Sequence, residues 1–416
     1  MKVRLISAPI ALEQGTKLES SPGQNSHAPL VPPLGMLMLA AALREAGVVA
    51  SLVDLTRLRA EYLDGEGGKR VESFRDYAAR VIAAEPADLY GFSTLCSSYP
   101  HTVRIAQAVK EERRWATVAF GGPQATLTDA ETLEAFPFVD WVVRGEAEIT
   151  IVELVKAGSP GGVAGLSYRA GGRTVRNQDA PLVMDLDHLP YPAFDLLSTF
   201  QSKRLHVEAG RGCPFQCSFC ATSRFFRRRF RMKSAKRLVD EMVAMHQAYG
   251  TQKFDLVHDL FTADSKRVLA FCDALQRSGI RCRWTCSARA DGLRPEILAA
   301  MAQAGCASIY LGVETGSPRM QKAIRKRLDL KKVDAALDLC EQLEMGTTVS
   351  FIVGFPEEEQ SDLELTGRCV VNALRRDRCR TQVHLLMPLA GTEISANAAS
   401  SRFSGSCLVV DAEATG

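Results

Sequence analysis

Short apolar stretches alternate with amphipathic ones along the first 157 residues. The apolar stretches have the length and β-branched content of buried strands, whereas the amphipathic ones place apolar residues three and four positions apart, as on one face of a helix. This alternation predicts a doubly wound, Rossmann-like domain, in which a parallel sheet carries helices on both faces. The predicted strands are KVRLISA, ASLVDL, DLYGFST, TVAFGG and DWVVRGEAE, and the predicted helices cover about 35–46, 74–84, 100–112 and 130–135.

The predicted carboxyl ends of these strands are rich in small and polar residues. In a doubly wound sheet, ligands bind just beyond those ends. The sequence therefore predicts a ligand site made by backbone amides and small hydroxyls. Its four segments are PPLG at 32–35, STLCSS at 93–98, GGPQAT at 121–126 and RGEAE at 144–148.

A second and longer alternation occupies residues 204–389. It comprises six β/α steps, two fewer than a complete eight-stranded barrel, and so predicts a partial, TIM-like (β/α)6 barrel. Between the two alternations, residues 158–203 are rich in glycine and proline and predict a linker with a hairpin of its own. Residues 390–416 are small, polar and weakly patterned, so we expect a poorly ordered tail or the start of a further segment.

Length and composition fit a protein of two or three domains with no apolar run of membrane-spanning length. The chain has 416 residues, of which 46% are hydrophobic and 24% charged, and no apolar run approaches the roughly 20 residues of a membrane span. The basic, apolar start is interrupted by Pro9 and is better explained as a strand than as a signal peptide. Twelve cysteines spread over a long chain suggest reduced thiols, and we expect a cytoplasmic protein.

Three cysteines lie close together in the segment AGRGCPFQCSFCATS, at Cys213, Cys217 and Cys220. Their spacing would also suit one face of a helix, but Gly210, Gly212 and Pro214 disfavour a helix here, and this favours a metal-binding loop over three buried core thiols. A closed zinc site needs a fourth protein ligand, and none lies nearby at the usual spacing. Three thiolates instead suit a four-iron cluster with one iron open to a small ligand.

This cysteine segment resembles that of the radical S-adenosylmethionine (SAM) superfamily, in the C-x3-C-x2-C spacing and in the aromatic Phe219 before the last cysteine. The resemblance implies that the three thiolates hold a [4Fe-4S] cluster, that the open iron binds SAM, and that reductive cleavage of SAM yields a 5′-deoxyadenosyl radical. Phe219 would line the adenine. Three further segments resemble motifs of this superfamily, namely YLGVETGS, WTCSARAD and SFIVGFPEE. The first two imply that Glu314 and Arg289 position SAM, and the third implies a strand end behind the adenine. Glu314 and Arg289 could instead form a structural ion pair with each other.

The first domain resembles the cobalamin-binding domain that precedes the barrel in one subfamily. The match rests on PPLGMLMLAAALREAG, GFSTLCSSYP, FGGPQAT and VVRGEAE. The Asp-x-His-x-x-Gly segment that supplies a histidine to cobalt in other cobalamin proteins is missing. His101 is a conceivable ligand, but a solvent-exposed histidine at a helix start is the simpler interpretation. The residues that the resemblance places beside the corrin are Gly91, Ser93, Thr94, Gly121, Gly122, Gln124 and Glu146.

The resemblance implies a cobalamin-dependent radical SAM methyltransferase that acts on an unactivated carbon of a small molecule or peptide. It also implies a reductant such as flavodoxin or ferredoxin. A cyclase or rearrangement enzyme, an RNA-modifying enzyme, and a non-catalytic iron–sulfur sensor or cobalamin carrier are the alternatives. The basic run SRFFRRRFRMKSAKR at 223–237 could bind single-stranded nucleic acid, an anionic ligand or another domain, or could simply be solvated. With a net charge of only +3, nucleic acid is not the expected partner.

Overall fold

The computed structural model describes residues 1–9, 32–64, 72–197 and 204–398. As far as these are described, they form two compact units. The first takes Met1–Val183 and Leu189–Gln201, and the second takes Met184–His188 and Ser202–Ala396. No helix among the described residues has both the length and the apolar character needed to cross a bilayer.

The first unit contains a seven-stranded sheet whose first five strands are parallel, with the order β2-β1-β3-β4-β5-β6-β7. Its strands are β1 Val3–Ile6, β2 Ala50–Val53, β3 Leu89–Ser93, β4 Thr117–Gly121, β5 Trp141–Val143, β6 Leu166–Ala170 and β7 Arg173–Arg176. Its helices are α1 Leu34–Glu45, α2 Leu55–Asp64, α3 Phe74–Ala84, α4 Tyr99–Glu112, α5 Pro123–Leu127, α6 Asp129–Ala135 and α7 Glu148–Ala157.

The hairpin β6-β7 extends this first sheet. We predicted it inside a linker, but β6 pairs antiparallel with β5, with Trp141 opposite Tyr168. The pairing satisfies the edge of β5, which would otherwise present unpaired backbone groups. Helix α7 was not predicted, because its β-branched residues favour a strand over a helix in isolation.

The second unit is built on a six-stranded parallel sheet with the order β15-β14-β13-β12-β11-β8, which confirms the six β/α steps. Its strands are β8 Arg204–Glu208, β9 Gly210–Arg211, β10 Arg231–Met232, β11 Lys253–Val257, β12 Arg283–Ala288, β13 Cys306–Glu314, β14 Gly346–Val353 and β15 Cys379–Leu385. Its helices are α8 Thr222–Phe225, α9 Ala235–Tyr249, α10 Ser265–Arg277, α11 Pro295–Gln303, α12 Pro318–Ala323, α13 Leu330–Gln342 and α14 Gln360–Leu374, and a last described helix, α15, covers Glu393–Ala398.

Local sequence signals explain where several of these helices begin. Ser234 starts α9 by accepting a hydrogen bond from the Arg237 amide, and Asp264 does the same for α10. Beneath the helices, Trp284, Phe261 and Phe271 pack edge to face in the core of the second unit. Of the predicted tail, residues 399–416 lie outside the described residues.

Candidate functional site

The three-cysteine loop begins at the carboxyl end of β8 and is held by a two-stranded ribbon. Strands β9 and β10 pair antiparallel, with Met232 opposite Gly210. A Cβ atom at Gly210 would collide with the carbonyl oxygen of Arg231, and one at Gly212 would collide with that of Arg229. The loop can lie this close to β10 only because glycine occupies both positions.

The thiols of the loop are half-buried and close enough to affect one another's charge. Burial raises the pKa of Cys217 to about 11, against the opposing effect of the nearby Lys326 cation. Burial also raises the pKa of Cys213, and the neighbouring Cys220 raises it further. Among the described residues, no three Cys, His, Asp or Glu side chains are grouped tightly enough to hold one metal ion. That finding argues against a single zinc ion, whereas the thiolates of a four-iron cluster each bind a different iron and need not meet at one point.

Two buried cations lie beside these thiols, and each has its own partner. Lys326 Nζ is 2.8 Å from Glu314 Oε1, at the end of β13. Arg289 pairs with Asp291 at 2.8 Å and donates to the Lys326 carbonyl oxygen at 3.1 Å. The alternative ion pair between Arg289 and Glu314 is therefore absent in this described region.

The end of β13 is shaped around Glu314. Its φ of 69° lies in the left-handed region, which is strained for a residue other than glycine. A Cβ at Gly312 would collide with Glu314 Oε1 and lie 2.9 Å from Lys326 Nζ. Gly312 thus leaves space for the buried pair between the carboxylate and the ammonium group.

In the first unit, the ends of β3 and β4 are held against each other by Thr94. Its amide and its hydroxyl both donate to the Gly121 carbonyl oxygen, at 2.8 and 2.7 Å. The Thr94 hydroxyl also accepts from the Ala125 amide at 2.9 Å. A Cβ at Gly122 would lie 2.8 Å from the Thr94 carbonyl oxygen, and the φ of Gly122 is +90°. This close approach requires glycine at position 122.

The structure brings Ser93, Thr94, Gly121, Gly122 and Gln124 together at these strand ends. The other predicted corrin residues lie elsewhere in the same unit. Gly91 lies inside β3, opposite Leu5 and Ala119. Glu146 follows β5, and its carboxylate accepts from the Val183 amide at 2.7 Å. His101 lies in the first turn of α4 and is half-buried, so it is less exposed than we expected from the sequence. Burial, together with the charges of Arg59 and Arg104, lowers its pKa.

Comparison with known proteins connects both units to one family. The Radical SAM superfamily model matches residues 207–369, and the B12 binding domain model matches residues 25–155. An uncharacterized methyltransferase of Pyrococcus horikoshii is 32% identical over 372 residues, which cover 87% of this chain and 77% of that protein. The chain belongs to the cobalamin-binding radical SAM family. The predicted family, fold class and cofactors, namely a [4Fe-4S] cluster, SAM and cobalamin, are thereby confirmed.

Two further relatives show the breadth of this family. The anaerobic magnesium-protoporphyrin IX monomethyl ester cyclase of Synechocystis is 28% identical over 344 residues, which cover 80% of this chain and 66% of that protein. The structure of the radical S-adenosylmethionine methyltransferase TsrM from Kitasatospora setae superposes with a TM-score of 0.73 at 17% identity, covering 97% of this chain and 77% of that one. The structural likeness supports the fold.

Phe219 of this radical SAM protein lies at the edge of a small apolar cluster. Its ring meets that of Phe355 edge to face, with centroids 6.0 Å apart, and both pack near Met320 and Ile324. Phe355 belongs to SFIVGFPEE, the segment that we predicted behind the adenine. The structure thus joins two segments that the resemblance had assigned to the same ligand.

The inner face of the second sheet lines an open cavity of about 1040 Å³, to which neither the three loop cysteines nor Arg289 and Glu314 contribute. Barrels of this kind are usually filled by branched apolar side chains. Here Asp255 instead accepts from Thr285 Oγ1 at 2.5 Å and lies 3.2 Å from His206 Nε2. Burial opposes ionisation of Asp255, but hydrogen bonds from His206 and Thr285 outweigh it and lower its pKa. The lining is therefore suited to polar molecules.

Sequence reasoning missed two residues that support the loop. Lys326 follows helix α12, and a cation near the end of a helix is common and needs no special role. His258 follows β11 without any recognisable motif. It is buried, its Nε2 lies 3.1 Å from the Gly212 carbonyl oxygen, and its ring stacks on Phe230 at 5.0 Å. Only the fold reveals that these side chains reach the cysteine loop.

The buried His258 should make the stability of the protein depend on pH. Burial, reinforced by the Arg231 charge, lowers its pKa from 6.5 to about 4. As the pH falls below 6.5, the unfolded chain takes up this proton first, so stability is lost until about pH 4. The loss should approach about 3 kcal/mol.

Urea unfolding between pH 7 and pH 4 tests this expectation. In the variant His258→Gln, the unfolding free energy should fall less steeply with pH than in the wild type. His188→Gln is the control, because the His188 side chain is 84% exposed. Parallel pH profiles of wild type and His258→Gln would contradict the expected neutral, buried imidazole.

Proposed function

We propose that this protein is a cobalamin-dependent radical SAM methyltransferase that acts on an unactivated carbon of a small polar molecule. The carrying observation is the cysteine loop, in which three mutually interacting thiols lie beside the Lys326 and Arg289 cations. When bound, the cluster and SAM supply a 5′-deoxyadenosyl radical, and cobalamin supplies a transferable methyl group.

The residues around the loop divide into ligands and positioning groups. Cys213, Cys217 and Cys220 would hold the cluster, because no other described cysteine belongs to this loop. Arg289 and Glu314 would hold the charged methionyl end of SAM, since both are buried at strand ends. Arg289 affects the charge of Cys217 directly, and Glu314 pairs with Lys326, which affects it too. Phe219 would cover the adenine from its apolar cluster.

The first unit would bind cobalamin through the ends of β3 and β4. Ser93, Gly121, Gly122 and Gln124 would face the corrin and its amide groups, as proposed from the resemblance. Thr94 has no free hydroxyl hydrogen for a ligand, because it donates to Gly121. Its contribution would be to hold the two strand ends at the observed spacing. Gly91 lies within the strand and Glu146 is held by Val183, so any contact by these two residues remains our least direct assignment.

The polar cavity supports a polar substrate. Its volume of about 1040 Å³ suits a small molecule. Arg204 and Asp255 present charged groups along its wall, and the His206 ring lies beside Asp255. The eleven free thiols of the described cysteines fit a reducing compartment, and we propose the cytoplasm.

Anaerobic reconstitution tests the proposed reaction. The protein is loaded with iron, sulfide and cobalamin and given SAM with a deuterated methyl group, together with dithionite. We expect 5′-deoxyadenosine and transfer of the deuterated methyl group to cobalamin, both measured by mass spectrometry. 5′-Deoxyadenosine without methyl transfer would favour a cyclase or rearrangement enzyme, as in the Synechocystis relative. A fully loaded cluster that forms no 5′-deoxyadenosine would favour a sensor or carrier.

A further inference from the structure

A turn of exposed arginines lies directly against the cysteine loop. Residues 226–229 follow the short helix α8 and lead into β10. Arg227 and Arg228 have φ values of 50° and 58°, in the left-handed region. Two consecutive residues other than glycine in this region are strained, and such strain is usually retained where a segment has a function.

The turn is the immediate neighbour of the residue before Cys213. The position of a Cβ at Gly212 would overlap the Arg229 carbonyl oxygen and lie 3.0 Å from the Phe226 Cβ atom. Gly212 directly precedes Cys213 in the sequence, and its Cα lies about 3.8 Å from that of Cys213. The backbone of this turn therefore contacts the residue next to a proposed cluster ligand. Phe226 contacts Phe225 edge to face at 4.8 Å and lies below Arg231 at 5.7 Å. The packed ring of Phe226 therefore helps to hold this turn against the loop.

Three exposed arginine side chains of this region lack partners among the described residues. Arg224, Arg228 and Arg229 are exposed and form no ion pair or side-chain hydrogen bond with any other described residue. Nearby buried cations are different, because Arg211 pairs with Glu208 at 2.8 Å and Lys233 pairs with Glu241 at 2.6 Å. The fold thus neutralises the cations beneath the surface and leaves three exposed ones without a counter-charge.

We propose that Arg224, Arg228 and Arg229 form a docking surface for an acidic, flavin-carrying electron-transfer protein of the flavodoxin type. The inference rests on the proposed function, because it requires a cluster on the adjacent loop. Exposed like charges increase the rate of association with an oppositely charged protein and give weak, salt-sensitive complexes, as electron transfer requires. In such a complex, a cluster held by the adjacent loop would accept one electron from the reduced flavin, so that the flavin would be oxidised and the cluster reduced by one electron each.

RNA is the competing polyanion for such a surface. Base stacking on exposed aromatic rings would be needed for sequence-tolerant binding of a single strand. Phe225 and Phe226 are only partly exposed and pack against each other and the loop. A redox partner needs to bind close to the cluster, and the position of these arginines beside the cysteine loop meets that need. Binding of RNA would not require this position.

The test compares two triple variants of the full-length, cluster-loaded protein. The first is Arg224→Gln/Arg228→Gln/Arg229→Gln. The matched control is Arg114→Gln/Arg281→Gln/Arg375→Gln, which removes three equally exposed arginines without described ion-pair partners at other sites. Binding of a purified bacterial flavodoxin is measured by fluorescence anisotropy at about 0.01 M and about 1 M salt, where charges are weakly and strongly screened.

We expect the first variant to weaken flavodoxin binding roughly 3- to 100-fold at low salt, and the control less than about twofold. The difference should vanish at high salt. The rate at which flavodoxin hydroquinone reduces the cluster is measured from the loss of visible absorbance. This rate should fall to the same extent in the first variant, whereas the rate of reduction by dithionite should not change. Equal flavodoxin binding by the wild type and both variants would overturn the docking surface. The same conclusion would follow if the wild type bound a mixed-sequence RNA more tightly than flavodoxin and only the first variant lost this RNA binding.

The two proposals fail in different ways. If dithionite with SAM gives no 5′-deoxyadenosine in the wild type, the proposed function is wrong. If dithionite gives 5′-deoxyadenosine but the first variant keeps full flavodoxin-driven turnover, only the docking surface is wrong.

Discussion

The variant Cys217→Ala should lose the iron–sulfur cluster and with it all formation of 5′-deoxyadenosine. Cys217 is the central thiol of the loop and interacts with the charges of Cys213, Cys220, Lys326 and Arg289. Removing it leaves two thiolates, too few to hold a four-iron cluster with one open iron. After anaerobic reconstitution, we expect iron and sulfide near the background level, no broad visible absorbance from the cluster, and no product from SAM.

The control for this experiment is Cys282→Ala. The Cys282 thiol is also half-buried, and burial raises its pKa to about 11, as for Cys217. It lies outside the loop, just before β12, so its loss should leave the cluster content unchanged. Cobalamin binding gives an internal reference, since the first unit keeps all its residues in both variants. A Cys217→Ala protein that retains the cluster absorbance would show that our ligand assignment is wrong.

The fold was largely predictable from periodicity. Strands such as β3 and β11 are short apolar runs between amphipathic helices, and their order along the chain alone indicates parallel sheets. The sequence does not show where tertiary pairing decides the structure. Nothing local to Tyr168 or Ser167 shows that β6 joins the edge of β5, because a hairpin has the same turn signals whether or not it extends a larger sheet.

The candidate site was predictable only in part. The spacing of Cys213, Cys217 and Cys220 identifies the loop, since three thiols with glycine and proline between predicted elements have few structural explanations. Glu314 and Arg289 were found through motifs, but their partners were not. Lys326 pairs with Glu314, and Asp291 pairs with Arg289, because of the course that the chain takes after each strand ends. The periodicity of the sequence does not predict that course. Thr94 shows the opposite difficulty. Its motif predicted a ligand contact, but its hydroxyl donates to the Gly121 carbonyl oxygen within the fold.

The second large effect should come from the buried ion pair beneath the ribbon that holds the cysteine loop. Lys233 Nζ lies 2.6 Å from Glu241 Oε2, and both side chains are 0% exposed. The Lys233 amide donates to the Ala209 carbonyl oxygen at 3.0 Å, which ties β10 to the end of β8. In Lys233→Met, Glu241 keeps only Arg237, whose Nε is 3.8 Å away. Leaving this carboxylate buried without its ammonium partner should cost about 3–5 kcal/mol of unfolding free energy.

A double variant separates the ion pair from simple loss of a side chain. In Lys233→Met/Glu241→Leu no buried charge is left unpaired, and most of the lost stability should return, because apolar replacements of a buried pair are often neutral. The control is Lys236→Met in α9, the helix that carries Glu241. Lys236 and Asp240 are also 2.6 Å apart, but their side chains are 85% and 46% exposed. This exposed pair should contribute no more than about 1 kcal/mol. If urea unfolding shows equal losses for Lys233→Met and for the double variant, the buried carboxylate is not the cause. Cluster content should follow stability across the series, because the ribbon that this pair anchors is the support of the cysteine loop.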